Sequence, residues 1–331
     1  MASTVNHDTL FIDAAALRSI LSYKTLMNHL ESTLPTASSA VESPIRHSHQ
    51  TSPSSSLLLM PSFSVSSSLP YIGVKLVTFH PCNSSIYLPV IHANYTLFSS
   101  VTGQTLASID GSEMTLYRTA CISGLASRHL SRQESRILVM VGAGAMAPHL
   151  IRAHLSARPS LNKVIIWNRR NEKAVALVEM MEGEFQGVSF ESNGCLDEVV
   201  RLGDVVSCAT NSEVALVMGK ELKSGAHLDL VGSFKHSMKE CDDEAIRRGR
   251  VFIDNEAALI ESGELLGAIE RGVICRDHIV GNLVELIRGD KVGRKDSSQI
   301  TIFKSVGSAL VDLLCAQLVY ETYKNAPPSS I

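Results

Sequence analysis

The first third of the chain alternates between apolar and polar positions at the spacing of β-strands. Residues 71–79, 86–98 and 105–110 are rich in β-branched and aromatic side chains, and a short glycine-containing turn separates the last two. Such alternation between turn residues is typical of an antiparallel sheet. Earlier in the chain, Asp13 precedes apolar residues at helical spacing, which predicts a capped amphipathic helix. The serine-rich stretch 48–68 predicts strands joined by polar loops.

From residue 136 onward, strand-like and helix-like segments alternate, after a helical run over residues 112–130. This rhythm predicts the doubly wound parallel sheet of a Rossmann-type domain. A last helix is predicted over residues 305–323, and its apolar residues spread around most of its circumference. Either the first domain or another subunit must therefore cover it. The predicted parallel strands are RILVMVG, KVIIW, GVSF, DVVSCAT, HLDLVG and VFIDN.

The fold class predicted from these patterns is α/β: the Rossmann-type sheet plus a separate α+β domain. A length of 331 residues, 45% of them apolar, suffices for two domains with substantial cores. We place the Rossmann domain at residues 118–305. The second domain is discontinuous and joins residues 1–117 to residues 306–331.

Composition restricts the possible partners. A net charge of -3, from 30 basic and 33 acidic residues, gives no field that favours nucleic acid or an anionic membrane. We therefore expect a small-molecule ligand. The seven scattered cysteines form no C-x-x-C motif, which favours a reducing compartment. No apolar run is long enough to span a membrane, and Asp8 and Asp13 make the first residues a poor transit peptide, so targeting stays open.

A glycine-rich turn predicts a dinucleotide site. Gly142, Gly144 and Ala147 fit the pattern G-x-G-x-x-G/A between a predicted strand and a helix opened by Pro148. The glycines let the backbone turn tightly and approach a pyrophosphate, whose charge is met by the N–H groups at the start of the helix.

The end of the next predicted strand indicates which dinucleotide binds. NAD enzymes place an acidic residue there, whereas this chain has Asn168, Arg169 and Arg170. Arginines can donate paired hydrogen bonds to the 2′-phosphate of NADP, so we predict NADPH and NADP+, with NADH weaker. The alternative is two solvated arginines at a helix start. The small residues 207–212 come at another strand end, where either cofactor approach or packing explains them.

Two cations lie on predicted inward faces. Lys75 stands in an apolar strand, and Arg118 stands in a helical stripe with Met114 and Ile122. An unpaired buried charge is costly, so the pair suggests an anion between them. That anion can be a ligand or a protein carboxylate. Arg46 has no interpretation from its own neighbourhood.

The histidines give weaker signals. His47 and His49 lie on a polar loop without a third ligand at metal-site spacing, so we predict no metal site. His92 stands in an alternating strand, where it could donate a proton, although a structural role is the favoured interpretation.

Several separate motifs, in order and over almost the entire chain, resemble the ornithine cyclodeaminase/μ-crystallin family. The resemblance implies a homodimer in which the discontinuous domain, including the last helix, binds substrate and mediates dimerisation. Within the family, the chain looks most similar to plant reductases of 1-piperideine-2-carboxylate. The motifs are SPIR (43–46), LLLMPS (57–62), GVKLVTF (73–79), DGSEMTLYRTA (110–120), VGAGAMA (141–147), WNRR (167–170), FIDNEAALIESGEL (252–265) and ITIFKSVGSALVDLL (300–314).

The resemblance also assigns roles to residues. It implies that Arg46, Lys75 and Arg118 surround a substrate carboxylate, and Lys75 is the catalytic candidate. Cofactor contacts are implied for Arg118, Thr119, Gly142, Gly144, Ala145, Met146, Asn168, Arg169, Arg170, Cys208, Ala209, Thr210 and Val231.

One departure from the family pattern bears on the activity. The family's cyclodeaminases have an aspartate at the position of Phe234, and Asp229 nearby is a doubtful substitute because its strand register differs. We therefore expect NADPH-dependent reduction of the cyclic imino acid 1-piperideine-2-carboxylate to pipecolate, with Lys75 or an ordered water as proton source. The alternatives are ornithine cyclodeamination and a non-catalytic NADPH-binding protein. The resemblance implies pipecolic acid biosynthesis in plant systemic acquired resistance and a plastid location, with a cytoplasmic one as alternative.

Overall fold

The computed structural model describes residues 9–86 and 88–326, and it divides into two compact units. One comprises the described residues up to Arg118 and those from Ser308 onward, and the other is Thr119–Gly307. The predicted joins, 117/118 and 305/306, lie one and two residues before these divisions. Asp8, and Tyr87 within the predicted strand 86–98, lie outside the described residues.

The first unit contains the predicted antiparallel sheet, with strand order β1-β7-β6-β5-β4-β2 in the described ranges and β3 beside β4. Only the pairing of β1 with β7 is parallel. The strands predicted at 71–79 and 105–110 are confirmed. The one predicted at 86–98 starts only at Ile91, because residues Pro81–Ile86 form a 3-10 turn. The strands are β1 (Leu10–Ile12), β2 (Val41–Glu42), β3 (His47–Gln50), β4 (Ser56–Ser64), β5 (Tyr71–Phe79), β6 (Ile91–Ser99) and β7 (Thr105–Asp110).

Helices pack on one face of this sheet. The first begins as predicted, because Asp13 accepts a hydrogen bond from the backbone N–H of Ala16 at 2.8 Å. The last helix starts at Ala309, after the extended residue Ser308, and not at the predicted residue 305. It lies against the second helix and against β4 and β5, so the first unit itself covers much of its apolar surface. The helices are α1 (Ala14–Ile20), α2 (Tyr23–Ala40), α3 (Gly111–Leu130), which continues into the second unit, and α11 (Ala309–Asn325).

The second unit contains a parallel sheet with strand order β10-β9-β8-β11-β12-β15-β13-β14 within its described residues. The predicted Rossmann-type fold is thereby confirmed, since the first five strands run 3-2-1-4-5 in order of appearance. Its two last strands were not predicted, and β10 starts two residues later than GVSF. The strands are β8 (Ile137–Val141), β9 (Lys163–Trp167), β10 (Ser189–Ser192), β11 (Val205–Cys208), β12 (His227–Leu230), β13 (Arg250–Ile253), β14 (Ile279–Asn282) and β15 (Thr301–Lys304).

Helices connect these strands, and the core residues of β8, β9, β11, β12 and β15 are inaccessible to solvent. The strand order reverses between β8 and β11, so the loops after Val141 and Cys208 diverge at the carboxyl edge of the sheet. Ligands of such sheets bind at this switch point. No helix within residues 9–86 or 88–326 has the length and apolar character needed to cross a membrane. The helices are α4 (Ala147–Ala157), α5 (Asn171–Met181), α6 (Leu196–Leu202), α7 (Asp243–Arg248), α8 (Ala258–Glu261), α9 (Gly263–Glu270) and α10 (Leu283–Arg288).

Candidate cofactor cleft and carboxylate cluster

A cleft of about 360 Å³ opens at the switch point of the second unit. Three loops line it, one after each of β8, β9 and β11. None of its lining residues is acidic, so nothing in the walls repels a phosphate. The lining residues are 142–144, 167–170, 173, 209–212, 214 and 216.

The two glycines of the turn have different structural roles. Gly142 has a φ of 111°, and a Cβ there would lie 2.6 Å from the carbonyl oxygen of Ala209. The position thus requires glycine both for its backbone conformation and for space. Gly144 is exposed, and a Cβ there would meet no protein atom within 4 Å. It leaves open space beside the backbone, as close approach of a pyrophosphate requires.

The first turn of α4 follows directly after this glycine turn. Its capping residue, Met146, makes no side-chain hydrogen bond to the first turn, and Pro148 follows within that turn. The Ala147 N–H donates to the Gly144 carbonyl at 3.0 Å and Pro148 has no N–H, so this eleven-residue helix offers an anion chiefly the positive end of its dipole. Together with the glycines, this helix start fits a dinucleotide whose pyrophosphate lies over Gly144.

A second part of the cleft carries concentrated positive charge. Arg169, Arg170 and Lys173 all line it, and within the described ranges no carboxylate forms an ion pair with any of them. Asn168 holds the loop, since its Oδ1 accepts from the Ala143 N–H at 3.3 Å and its Nδ2 donates to the Arg170 carbonyl at 2.8 Å. The loop is therefore suited to a phosphate group.

Sequence reasoning found only part of this cleft. Of the predicted cofactor residues, Gly142, Gly144, Asn168, Arg169, Arg170, Ala209 and Thr210 line it. It missed Lys173, although a lysine three positions after Arg170 in a helix falls on the same side. The other predicted contacts are not among its lining residues. Ala145 and Met146 lie at the start of α4, Cys208 is fully buried, Val231 follows β12, Thr119 is buried, and Arg118 belongs to the first unit.

In the first unit, two of the predicted cations share one acid. Lys75 on β5 and Arg118 on α3 are only 2% and 5% exposed. The Lys75 ammonium lies 2.8 Å from Oδ2 of Asp312, and Nε of Arg118 lies 2.8 Å from Oδ1. Asp312, on α11, is completely buried. The sequence left open whether the anion is a ligand or a protein acid, and Asp312 supplies one negative charge for two positive ones.

Burial and neighbouring charge shift the pKa values of this cluster. Burial, reinforced by the charge of Arg118, lowers the pKa of Lys75 to about 8, although Asp312 acts in the opposite direction. Burial acts to raise the pKa of Asp312, but the charges of Arg118 and Lys75 together bring it below its ordinary value. Lys75 therefore exchanges its proton close to neutral pH while Asp312 stays ionised.

Arg46 also lies near enough to act on this cluster. It is half-buried between β2 and β3, and its positive charge contributes to the lowered pKa of Lys75. The structure thus brings together the three cations that the sequence singled out. It adds Asp312, which the sequence analysis did not single out because an acid in an apolar helix gives no signal of its partner.

The other sequence candidates are solvent-exposed histidines. His47 and His49 are exposed on β3, and His92 is exposed on β6. In the described part of the chain, no group of His, Cys, Asp and Glu is arranged to hold a metal ion.

Asp229 has a structural role inside the parallel sheet. It is fully buried and accepts hydrogen bonds from Ser207 at 2.7 Å and from Ser123 at 2.9 Å, and His154 Nε2 lies 3.1 Å away. These contacts use both carboxylate oxygens. Asp229 therefore does not replace the acid missing at Phe234, which is 38% exposed in the loop after β12.

A profile of the ornithine cyclodeaminase/mu-crystallin family matches residues 7–326. The chain belongs to that family. It is 61% identical over 315 residues to the Arabidopsis thaliana protein SAR DEFICIENT 4, covering 95% of this chain and 97% of that protein. It is 36% identical to a Colwellia psychrerythraea Delta(1)-pyrroline-2-carboxylate reductase over 76% of this chain and 79% of the reductase.

A solved structure extends the likeness to the fold. The Thermococcus litoralis Delta(1)-pyrroline-2-carboxylate reductase, in complex with NADH and L-proline, has a TM-score of 0.90 against this chain. The two are 29% identical, and the match covers 95% of this chain and 97% of that one.

Proposed function

We propose that this protein is an NAD(P)H-dependent reductase of cyclic ketimine carboxylates and that it converts 1-piperideine-2-carboxylate to pipecolate. The observation that carries the proposal is the buried cluster in which Lys75 and Arg118 share the single carboxylate of Asp312. Support comes from the family and from two relatives named Delta(1)-pyrroline-2-carboxylate reductase.

The cluster is suited to a monocarboxylate. An ammonium has three N–H donors and a guanidinium has five, so Asp312 leaves most of the donors of Lys75 and Arg118 unused. One added carboxylate brings the charge of these two cations and Asp312 to zero, and Arg46 adds a further positive charge near Lys75. A substrate held by its carboxylate presents its adjacent C=N bond in a fixed orientation.

The cleft of the second unit supplies the reductant site. A bound NAD(P)H provides a hydride, while residues 142–144 and the start of α4 would hold its pyrophosphate. Arg169, Arg170 and Lys173 favour NADPH, because they offer three cations and no acid to the 2′-phosphate.

Lys75 is the candidate proton donor. Reduction of a C=N bond leaves a ring nitrogen that gains a proton, and a donor works best when its pKa lies near the working pH. Burial lowers the pKa of Lys75 to about 8, which meets this condition.

The deciding experiment measures NADPH oxidation by the purified protein with the five- and six-membered ketimine acids and with ornithine. The proposal expects turnover with the ketimine acids and a higher kcat/KM for the six-membered ring. Ammonia and proline formed from ornithine without net NADPH consumption would establish a cyclodeaminase instead. NADPH binding without turnover of any substrate would establish a binding protein.

The biological setting forms part of the proposal and rests on the resemblance to plant reductases. We place the protein in pipecolic acid biosynthesis and systemic acquired resistance, in the plastid, as a homodimer. Increased pipecolate in leaves that express the chain, plastid import of a fluorescent fusion and sedimentation velocity test the pathway, the compartment and the oligomeric state. Unchanged pipecolate, a cytoplasmic fusion or a monomer would each contradict one of them.

A further inference from the structure

A buried carboxylate joins the loops that follow β11 and β12. Glu240 is completely inaccessible to solvent. Its Oε1 accepts from the backbone N–H and from the hydroxyl of Thr210, at 2.7 and 2.9 Å, and its Oε2 accepts from the backbone N–H of Gly232 at 2.7 Å. One side chain thus fixes the second residue beyond each of two neighbouring strands.

The backbone around Glu240 fastens the rest of the same loop. Its carbonyl oxygen accepts from the N–H groups of Leu216 and Val217 at 3.0 and 2.9 Å, and the Lys239 N–H donates to Ser212 at 2.7 Å. The loop after β11 is therefore held at its start, its middle and its end.

The junction leaves no space for a side chain at position 232. A Cβ built on Gly232 would collide with the carbonyl oxygen of Thr210 and with Oε1 of Glu240. Behind Glu240, the buried ammonium of Lys304 lies 2.9 Å from Glu264. Burial raises the pKa of Glu240 to about 7 against the opposing charge of Lys304, so the ionised acceptor predominates above about pH 7.

The loop held by Glu240 is a wall of the cofactor cleft. Thr210, Ser212 and Leu216 all line that cleft, whereas Glu240 does not. The N–H groups of Thr210 and Gly232 have charge-assisted bonds to Glu240 that define the backbone path at this wall. Removal of the carboxylate leaves these donors without an acceptor, and the loop must then shift to satisfy them.

We infer that Glu240 is a positioning residue for the nicotinamide dinucleotide, because it fixes the Thr210–Leu216 wall against which the cofactor binds. This inference rests on the proposed function in one respect, namely that the cleft binds NAD(P)H. It assigns Glu240 to cofactor affinity and not to the chemistry at the carboxylate cluster, which belongs to residues of the other unit.

The test compares Glu240→Ala and Glu240→Gln with the wild type. Direct NADPH binding is followed by the fluorescence of the reduced nicotinamide, and kcat and both KM values are measured at saturating cosubstrate. Glu221→Gln is the matched control, because Glu221 is also a buried glutamate in the second unit but pairs with Arg201, away from the cleft. Thermal unfolding shows whether each variant is folded.

We expect the Kd for NADPH to rise by about tenfold or more in Glu240→Ala, the equivalent of one lost charge-assisted hydrogen bond. Glu240→Gln keeps one carbonyl oxygen and should lie between Glu240→Ala and the wild type. The kcat at saturating NADPH and the KM for the ketimine acid should stay within about threefold of wild type, and Glu221→Gln should bind NADPH normally.

Two results would overturn the inference: an unchanged Kd in a folded Glu240 variant, or failure of both variants to fold, which would make the role purely structural. Failure of the wild type to bind NADPH would instead remove the proposed function. The two failures are therefore distinguishable within one set of measurements.

Discussion

The ammonium of Lys75 lies 2.8 Å from Asp312, and the two side chains are 3% and 0% exposed. Arg118 lies at the same distance from the other oxygen of that carboxylate. Because one acid serves two buried cations, the cluster has a positive charge to spare for a ligand. The same arrangement makes Asp312 important for the stability of the first unit.

Asp312→Asn should lower the free energy of unfolding by about 3 kcal/mol, because it leaves two buried cations without an opposing charge. Denaturant unfolding measures the change. Glu113→Gln is the control, since its partner Arg18 is 54% exposed and such pairs contribute less than about 1 kcal/mol. Equal effects of the two substitutions would contradict the account of the buried cluster.

The activity should decline as the pH rises above about 8. The pKa of Lys75 is lowered to about 8, so the protonated form that donates to the substrate is present below that pH and is lost above it. In Lys75→Arg the cation persists, so the alkaline decline of kcat/KM should move upward even if turnover is lower. An alkaline limb that stays in place in Lys75→Arg would assign the titration to another group.

Lys75→Ala, folded and binding NADPH, should lose nearly all turnover.

Arg169→Asp and Lys173→Glu should each shift the preference from NADPH toward NADH. Both replace a cation that lines the cleft with an acid, which repels the 2′-phosphate but not a ribose hydroxyl. The ratio of kcat/KM with NADPH to kcat/KM with NADH should fall by at least about tenfold in each variant. Lys220→Glu, on an exposed lysine outside the cleft, is the control. If the Lys173→Glu ratio equals that of Lys220→Glu, Lys173 does not contact the phosphate.

Substitutions at the two glycines should have opposite signatures. Gly142→Ala places a side chain at a positive φ and against Ala209, so it should lower the free energy of unfolding by about 1–3 kcal/mol. Gly144→Val extends into open space, so stability should change by less than about 0.5 kcal/mol. Its NADPH affinity should nevertheless fall by at least about tenfold, because the side chain would occupy the place of the pyrophosphate. Normal NADPH binding by Gly144→Val would remove the phosphate from that position.

The parts of the fold that sequence predicted are those in which local pattern and burial agree. β8, β9 and β11 were predicted because parallel strands buried on both faces are continuous apolar runs. The strands β14 and β15 were missed because polar or glycine residues interrupt their apolar runs: β14 ends in Gly281 and Asn282, and β15 ends in Lys304, a lysine in a fully buried position. Its partner Glu264 lies on α9, far from Lys304 in the sequence.

The candidate sites also differ in whether local sequence pattern predicts them. The glycine turn and the Asn168–Arg170 loop follow directly from spacing along the chain. Asp312 and Glu240 do not, because their partners are distant in sequence and an acidic residue gives no sign of which donor it will meet. Buried carboxylates are therefore the functional candidates that only the three-dimensional contacts bring to light.

The place of Asp312 in the chain sets an order of assembly. A ribosome must add all of Thr119–Gly307 before the acid that balances Lys75 and Arg118 exists. The second unit is one continuous segment and can fold during synthesis, whereas the first must wait with two uncompensated cations. A nascent chain halted before α11 would therefore have a folded second unit and an incomplete first unit. The incomplete unit would be open to proteolysis.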